Sequence, residues 1–276
     1  MRRLAVLAWC LWAGPAPARD VGHDVLVQGA LDIELGALLE ALEGKREHQI
    51  HAWTFWTGRI AGRRIAVSRT EVGPYNAAAA TALGIERFRP RVVVNQGTAG
   101  GHNRKLKLWD IVIGAKTIDY SAHRAEPAGE GAGQRPERWS PAPYKLRLDG
   151  KTPTEFTAFP GHPELVASFL RVPYARGTLY AGAIGTAFQF NKELDRIAWL
   201  HRTYGTDSED MESAASAAVA LGMGVPFVAV RIISNTEWEH PTFERIAGRY
   251  GAEFVLEWLR RAVPLPARTR RGTSLR

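Results

Sequence analysis

Five short apolar runs punctuate the chain, DVLVQ (24–28), RVVVN (91–95), IVIGAKT (111–117), TLYAGAI (178–184) and VPFVAVRII (225–233), and each reads as a β-strand. Helical patterns fall between and after them. Leu31, Leu35, Leu38, Leu39 and Leu42 form one stripe, Gly73-Pro74 opens an alanine-rich helix closing near Gly84, and further helices are expected at about 162–171, 191–203, 211–221 and 242–262. This alternation predicts an α/β fold, a three-layer α/β/α sandwich with a central twisted mixed sheet. The last run continues as FVAVRIISN (227–235), so a guanidinium and an amide ride on an otherwise apolar strand near its end. Strand alternation puts Arg231 and Asn235 on one face, and the carboxyl ends of such strands are where a layered sheet leaves a ligand crevice.

With 276 residues, 45% of them hydrophobic, the chain can bury a full core, and one large domain over 19–262 is expected. Before it, Arg2 and Arg3, an apolar run from Leu4 to Ala13, and Ala16-Pro17-Ala18 have the layout of a signal peptide over 1–18, which predicts an exported, periplasmic or secreted protein. The run is too short to span a bilayer, so no membrane association is expected once it is removed. Cys10, the only cysteine, falls inside the signal, leaving no disulfide and no thiol nucleophile. Lipid attachment there stays open, although Trp9 is a poor neighbour for that processing. The signal carries two of the 36 basic residues and none of the 28 acidic ones, so the formal charge of +8 becomes +6. Much of the positive charge lies in 124–151 and 260–276 rather than on a groove with interleaved aromatics, so nucleic acid is not an expected partner. Residues 124–155 read as a long excursion rich in Pro, Gly and charge, and 263–276 as a basic tail that does not pack.

Four places at strand or helix ends carry polar groups suited to chemistry. Glu34 of VQGALDIE sits in the first turn of a helix, at the edge of the leucine stripe; alone it reads as a carboxylate favouring the helix dipole. NQGTAGGH (95–102) is a Gly-rich turn that exposes backbone N–H groups, without the lysine of a P-loop or the spacing of a dinucleotide fingerprint. In GTAFQFN (185–191), Phe188 or Phe190 is placed to stack on a flat ring, or to join the core. In SEDMESAASAA (208–218), Glu212 opens a helix of small residues. No cluster of His, Cys or carboxylates stands at metal-ligand spacing, and no cofactor is expected.

Taken in order, GALDIE, EVGPYNAAAA (71–80), NQGTAGG, KLWDIVI (107–113), GTAFQFN, DMESAA and VPFVAVRIISN resemble the motifs of 5′-methylthioadenosine/S-adenosylhomocysteine nucleosidases of the nucleoside phosphorylase superfamily. The resemblance runs from about Val25 to Asn235. It implies a purine nucleoside hydrolase in which Glu34 activates water, Glu212 holds the ribose hydroxyls with Met211 against the sugar, and Phe188 stacks on the base beside Gln189. Ala99 and Gly100 would line the purine and ribose, Thr98 stands where a serine is common, and Arg231 matches an arginine near the water and the active-site carboxylates. It also implies a homodimer whose partner covers part of the pocket.

The chain departs from that pattern where an aspartic acid normally follows serine: here the pair is Ser234-Asn235. An amide cannot pass a proton to N7. Three readings stay open: Asn235 binds a 6-oxopurine, or it tolerates an adenine nucleoside at lower rate, or catalysis is lost and the protein binds or stores purine nucleosides. Phosphorolysis is the further alternative, disfavoured because Glu34 would repel phosphate at the sugar. Thr186 also stands where the family usually has aspartic acid.

Overall fold

A computed structural model describes residues 22–261 and 263–268; the expected signal, Cys10 and residues 269–276 lie outside them. The chain runs β1 (Val25–Gly29), α1 (Asp32–Glu40), β2 (Glu43–Ile50), β3 (Trp53–Ile60), β4 (Arg63–Arg69), α2 (Pro74–Phe88), β5 (Val92–Gly101) and β6 (Ile111–Asp119). After the excursion come β7 (Phe159–Pro160), α3 (Pro163–Leu170), β8 (Leu179–Thr186), α4 (Leu194–Tyr204), β9 (Ser208–Asp210), α5 (Ser213–Gly222), β10 (Phe227–Asn235) and α6 (Ile246–Arg260). All five strands expected from the apolar runs are present, within a residue or two at most ends.

These ten strands form one mixed sheet. β1 lies parallel between β4 and β5, and the antiparallel meander β4, β3, β2 extends that side. On the other side the pairings close on themselves: β5 pairs β10, β10 pairs β6, β6 pairs β8, β8 pairs β9, and β9 returns to β5. Half of the sheet is thus a five-stranded ring. Alternate residues of β1 feed two cores: Val25 and Val27 pack with Leu35 and Leu38 of α1, Phe169 of α3 and Trp258 of α6, while Leu26 packs with Ala80 and Ile85 of α2 and Ala217 of α5. Burial on both faces is why β1, β5 and β10 read as unbroken apolar runs.

The meander over 43–69 was not anticipated. β2, EGKREHQI, is an edge strand exposed over most of its length, so it carries no apolar alternation. The stronger signal was Ala61-Gly62, whose φ angles of 48° and 77° make a tight two-residue hairpin between β3 and β4. Residues 263–268 also correct the expectation of an unpacked tail. Arg63 donates to the Arg261 and Val263 carbonyls, Arg91 donates to that of Leu265, and Leu265 packs against the core. Among the described residues no helix is long and apolar enough to cross a membrane.

Candidate functional site

The carboxyl ends of β1, β5 and β10, with β9 and the loop after β8, enclose a cavity of about 580 Å³, within the range of small-molecule sites. Glu34 reaches it from the first turn of α1. Its Oε2 accepts the N–H groups of Ala30 (2.9 Å) and Leu31 (3.0 Å), and its Oε1 accepts the N–H (2.8 Å) and hydroxyl (3.0 Å) of Thr98. Gly97 makes the seat: a Cβ there would lie 2.8 Å from Glu34 Oε1. The sequence-expected Thr98, Ala99 and Gly100 line the same cavity at the end of β5.

Glu212 enters from the N-terminus of α5, with Met211 beside it in the lining. Its Oε1 accepts the Gly73 N–H at 2.9 Å, and its Oε2 lies 3.7 Å from Arg231 Nη2. Burial, and then the neighbouring charge of Asp210, push the Glu212 carboxyl up to about 7, although Arg231 and the Gly73 N–H pull the other way. Glu34 adds to the upward push, which puts both acids within electrostatic reach of each other.

Arg231 lies 1% exposed beneath this wall and is not part of the cavity lining. It lies beside the carboxylates of Asp210 and Glu212, as the resemblance implies, and what is corrected is the expectation that it shares a space with Asn235. Its Nε donates to Asp210 Oδ2 at 2.5 Å and its Nη2 to Asn95 Oδ1 at 2.5 Å, so the guanidinium is spent on its neighbours. Asp210 in turn accepts from Thr186 Oγ1 at 2.6 Å and from the N–H groups of Glu212 and Ser213. Arg231 is a positioning residue, holding through Asp210 the turn that presents Glu212.

Asn235 parts from Arg231 because the ladder slips. Ile233 is opposite Ala99 and Asn235 opposite Gly100, leaving Ser234 as a bulge. Ser234 and Asn235 both line the cavity. Ser234 Oγ lies 3.1 Å from both the Ala99 carbonyl and Asn235 Oδ1, and its one proton serves one of them at a time. Asn235 Nδ2 faces Glu237 Oε1 at a long 3.4 Å.

The stacking aromatic is the second correction. Phe188 is 62% exposed and outside the lining, lying over Gly73, where a Cβ would meet its ring at 3.2 Å. Gln189 and Phe190 line the cavity instead. GTAFQFN leaves β8 at Thr186 and runs without regular structure, so no strand period fixes which ring turns inward. Glu209, Asn191, Lys192 and Glu237 also belong to the wall and were not singled out in the sequence. Glu209 precedes Asp210 on β9 and was legible only as one more acid in SEDMES. Burial acts to raise its pKa, but contacts with His102, Asn191 and Tyr120 outweigh this and hold the carboxyl below its ordinary value. Among the described residues no group of three or more His, Cys, Asp or Glu side chains is placed to hold a metal ion.

Residues 24–264 match the family model of the phosphorylase superfamily. The chain is 30% identical over 210 residues to a 5′-methylthioadenosine/S-adenosylhomocysteine nucleosidase of Shewanella halifaxensis, covering 75% of this chain and 84% of that protein. It is 28% identical over 249 residues to the nucleosidase of the same description from Bacillus licheniformis, covering 86% and 98%. Among solved structures, it is similar to a nucleosidase of the same description from Neisseria meningitidis in complex with methylthio-immucillin-A (TM-score 0.71, 24% identity, 86% and 99% covered). It is likewise similar to one from Colwellia psychrerythraea 34H in complex with adenine (TM-score 0.69, 25% identity, 87% and 95% covered).

Proposed function

Since the chain belongs to the phosphorylase superfamily, as a relative of its methylthioadenosine/S-adenosylhomocysteine nucleosidases, we propose that it hydrolyses purine nucleosides, cleaving the ribosyl N-glycosidic bond and releasing the free base. The observation that carries this reading is the meeting of Glu34 and Glu212, from opposite ends of the domain, in one cavity that also holds Asn235. Cleavage of the bond builds positive charge on the sugar and negative charge on the departing base, so acids belong at the sugar and a donor at the base. Five carboxylates and a single cation, Lys192, line the wall, a poor place for phosphate and a good one for water and an oxocarbenium-like sugar.

Glu34 takes the proton of the attacking water. Three of its four partners are backbone N–H groups that cannot turn away, whereas the Thr98 hydroxyl can rotate. Water therefore enters at the Thr98 position, and that hydroxyl helps hold it. Glu212 accepts from the ribose hydroxyls, which requires it to be ionised. Its carboxyl titrates at about 7 and is protonated below that, so kcat/KM should climb with pH through a midpoint near 7 and then level. A flat profile across that range would remove Glu212 from the sugar.

At the base, an amide donates a hydrogen bond but no proton, which suits a 6-oxopurine whose O6 takes up charge as the bond breaks. Asn235→Asp should shift the ratio of adenosine to inosine turnover toward adenosine by roughly tenfold to a hundredfold, as general acid help becomes available. An unchanged ratio would count against the assignment. The function itself is tested by base release from inosine, guanosine, adenosine and methylthioadenosine, with and without phosphate. Release without phosphate supports hydrolysis, release only with phosphate identifies a phosphorylase, and tight binding with no release identifies a silent nucleoside-binding protein.

We infer further that the protein is exported and works as a homodimer. The layout of residues 1–18 supports export. Phe190 and Phe243 at the cavity, with Tyr75 and Phe188 beside Gly73, leave large apolar side chains 47–84% exposed, a surface suited to a second copy. The N-terminal residue of the exported chain, and light scattering of the processed protein, test the two.

A further inference from the structure

The purine-binding reading above gives no role to Glu209, one of the wall's charged groups. Glu209 stands opposite Gly100 on β9 and lines the cavity. Its two oxygens differ. Oε2 accepts from the Tyr120 hydroxyl at 2.7 Å and from Asn191 Nδ2, with His102 Nε2 3.0 Å away. Oε1 receives only the Asn191 N–H, at 3.2 Å. A carboxylate oxygen has two lone-pair directions, so Oε2 is saturated and Oε1 keeps one acceptor position open. Both Oε1 and the donor Asn235 Nδ2 converge on the same small residue: a Cβ built at Gly100 would lie 3.6 Å from each. This end of the cavity therefore offers the Asn235 donor and, within a few ångström, the open oxygen of Glu209, anchored by its other oxygen, beside the Glu237 carboxylate that lies 3.4 Å from Asn235 Nδ2.

Resting on the nucleoside-hydrolase reading, we propose that Glu209 is the specificity-determining residue for the base, accepting ring N–H groups so that the preferred substrate is a 6-oxopurine nucleoside of the guanosine type. The order of groups around the purine carries the assignment. Asn235 Nδ2 donates to O6, the atom on which a base leaving without a proton carries charge. The next group along the ring edge is N1–H, and in guanine the 2-amino group follows it. Both are donors and both match Glu209 Oε1. Adenine presents a lone pair at N1, which a carboxylate repels, and a buried polar group left unmatched discriminates strongly. The Tyr120 and Asn191 donors on Oε2 fix the carboxylate from segments far apart in the chain, as a reading head requires.

Glu209→Gln tests this directly. Its amide oxygen takes the seat of Oε2 facing the Tyr120 and Asn191 donors, so the NH2 faces the cavity and the acceptor becomes a donor. The ratio of guanosine to adenosine kcat/KM should fall by about tenfold to a hundredfold, the size of one charge-assisted hydrogen bond, with adenosine holding or gaining. A ratio unchanged, or an equal fall for both substrates, would overturn the assignment. Equilibrium binding of free bases to the unaltered protein gives a second readout that does not depend on the variant folding. Guanine binding more tightly than hypoxanthine, and hypoxanthine more tightly than adenine, is expected; adenine binding most tightly would overturn the proposal. If no nucleoside is cleaved, the hydrolase reading fails on its own, and the base-binding order still decides the role of Glu209.

Discussion

Glu34→Gln is expected to lower kcat by roughly 10²–10⁴-fold, the usual worth of a general base, while leaving the affinity for a purine base nearly unchanged. The new amide costs stability as well. Both oxygens of Glu34 accept backbone N–H groups, so whichever side receives the NH2 sets donor against donor, at about 1–3 kcal/mol. Glu34→Ala removes that clash and should lose the same rate. Measuring kcat, base affinity and Tm on both variants separates chemistry from folding. Either variant turning over at the parental rate would take Glu34 out of the mechanism.

Arg231→Met should be the most destabilising single change at the site, by about 3–5 kcal/mol, because it strands a buried carboxylate without its cation. Asp210 keeps its neutral donors from Thr186 and Ser213 but loses the guanidinium at 2.5 Å. For a domain of this size that is a fall in Tm on the order of 10 °C. A second effect follows from Glu212. Arg231 is one of the groups that favour its ionised form, so without it the carboxyl titrates higher still and the rising limb of the pH profile moves toward alkaline pH. A variant with parental Tm would show that the guanidinium does not hold the floor; an unmoved pH limb would uncouple it from Glu212.

The sequence was most legible where burial is symmetrical. β1, β5 and β10 are buried along almost their whole length, so their apolar runs have no competing reading. β2 was hidden because an edge strand exposed over most of its length spells out EGKREHQI, which is indistinguishable from a polar loop. In the site, Glu34 and Glu212 were legible because motif order placed them at element ends, whereas NQGTAGG, read as a Gly-rich turn, instead carries β5 on to Gly101. Arg231 was misplaced because alternation says which face a side chain leaves from but not what captures it, and a bulge at Ser234 breaks the count before Asn235. Glu209 was invisible for a different reason. Its partners Tyr120, His102 and Asn191 come from three separate segments, and only their convergence turns an unremarkable acid into an oriented acceptor.

The closed circuit of β5, β10, β6, β8 and β9 sets where this enzyme has room to evolve. A strand inside such a hoop cannot slide against one neighbour without breaking its bonds to the other, so Glu209 on β9 and Asn235 on β10, both paired with Gly100 of β5, keep a spacing locked into the backbone ladder. Accommodation of larger or smaller substituents on the sugar must then come from segments outside the hoop, the stretch around Gln189–Lys192 and the turn bearing Glu237, Pro241 and Phe243. Substrate range in relatives built on the same hoop should accordingly vary with those two segments, while their strands keep the chemistry fixed.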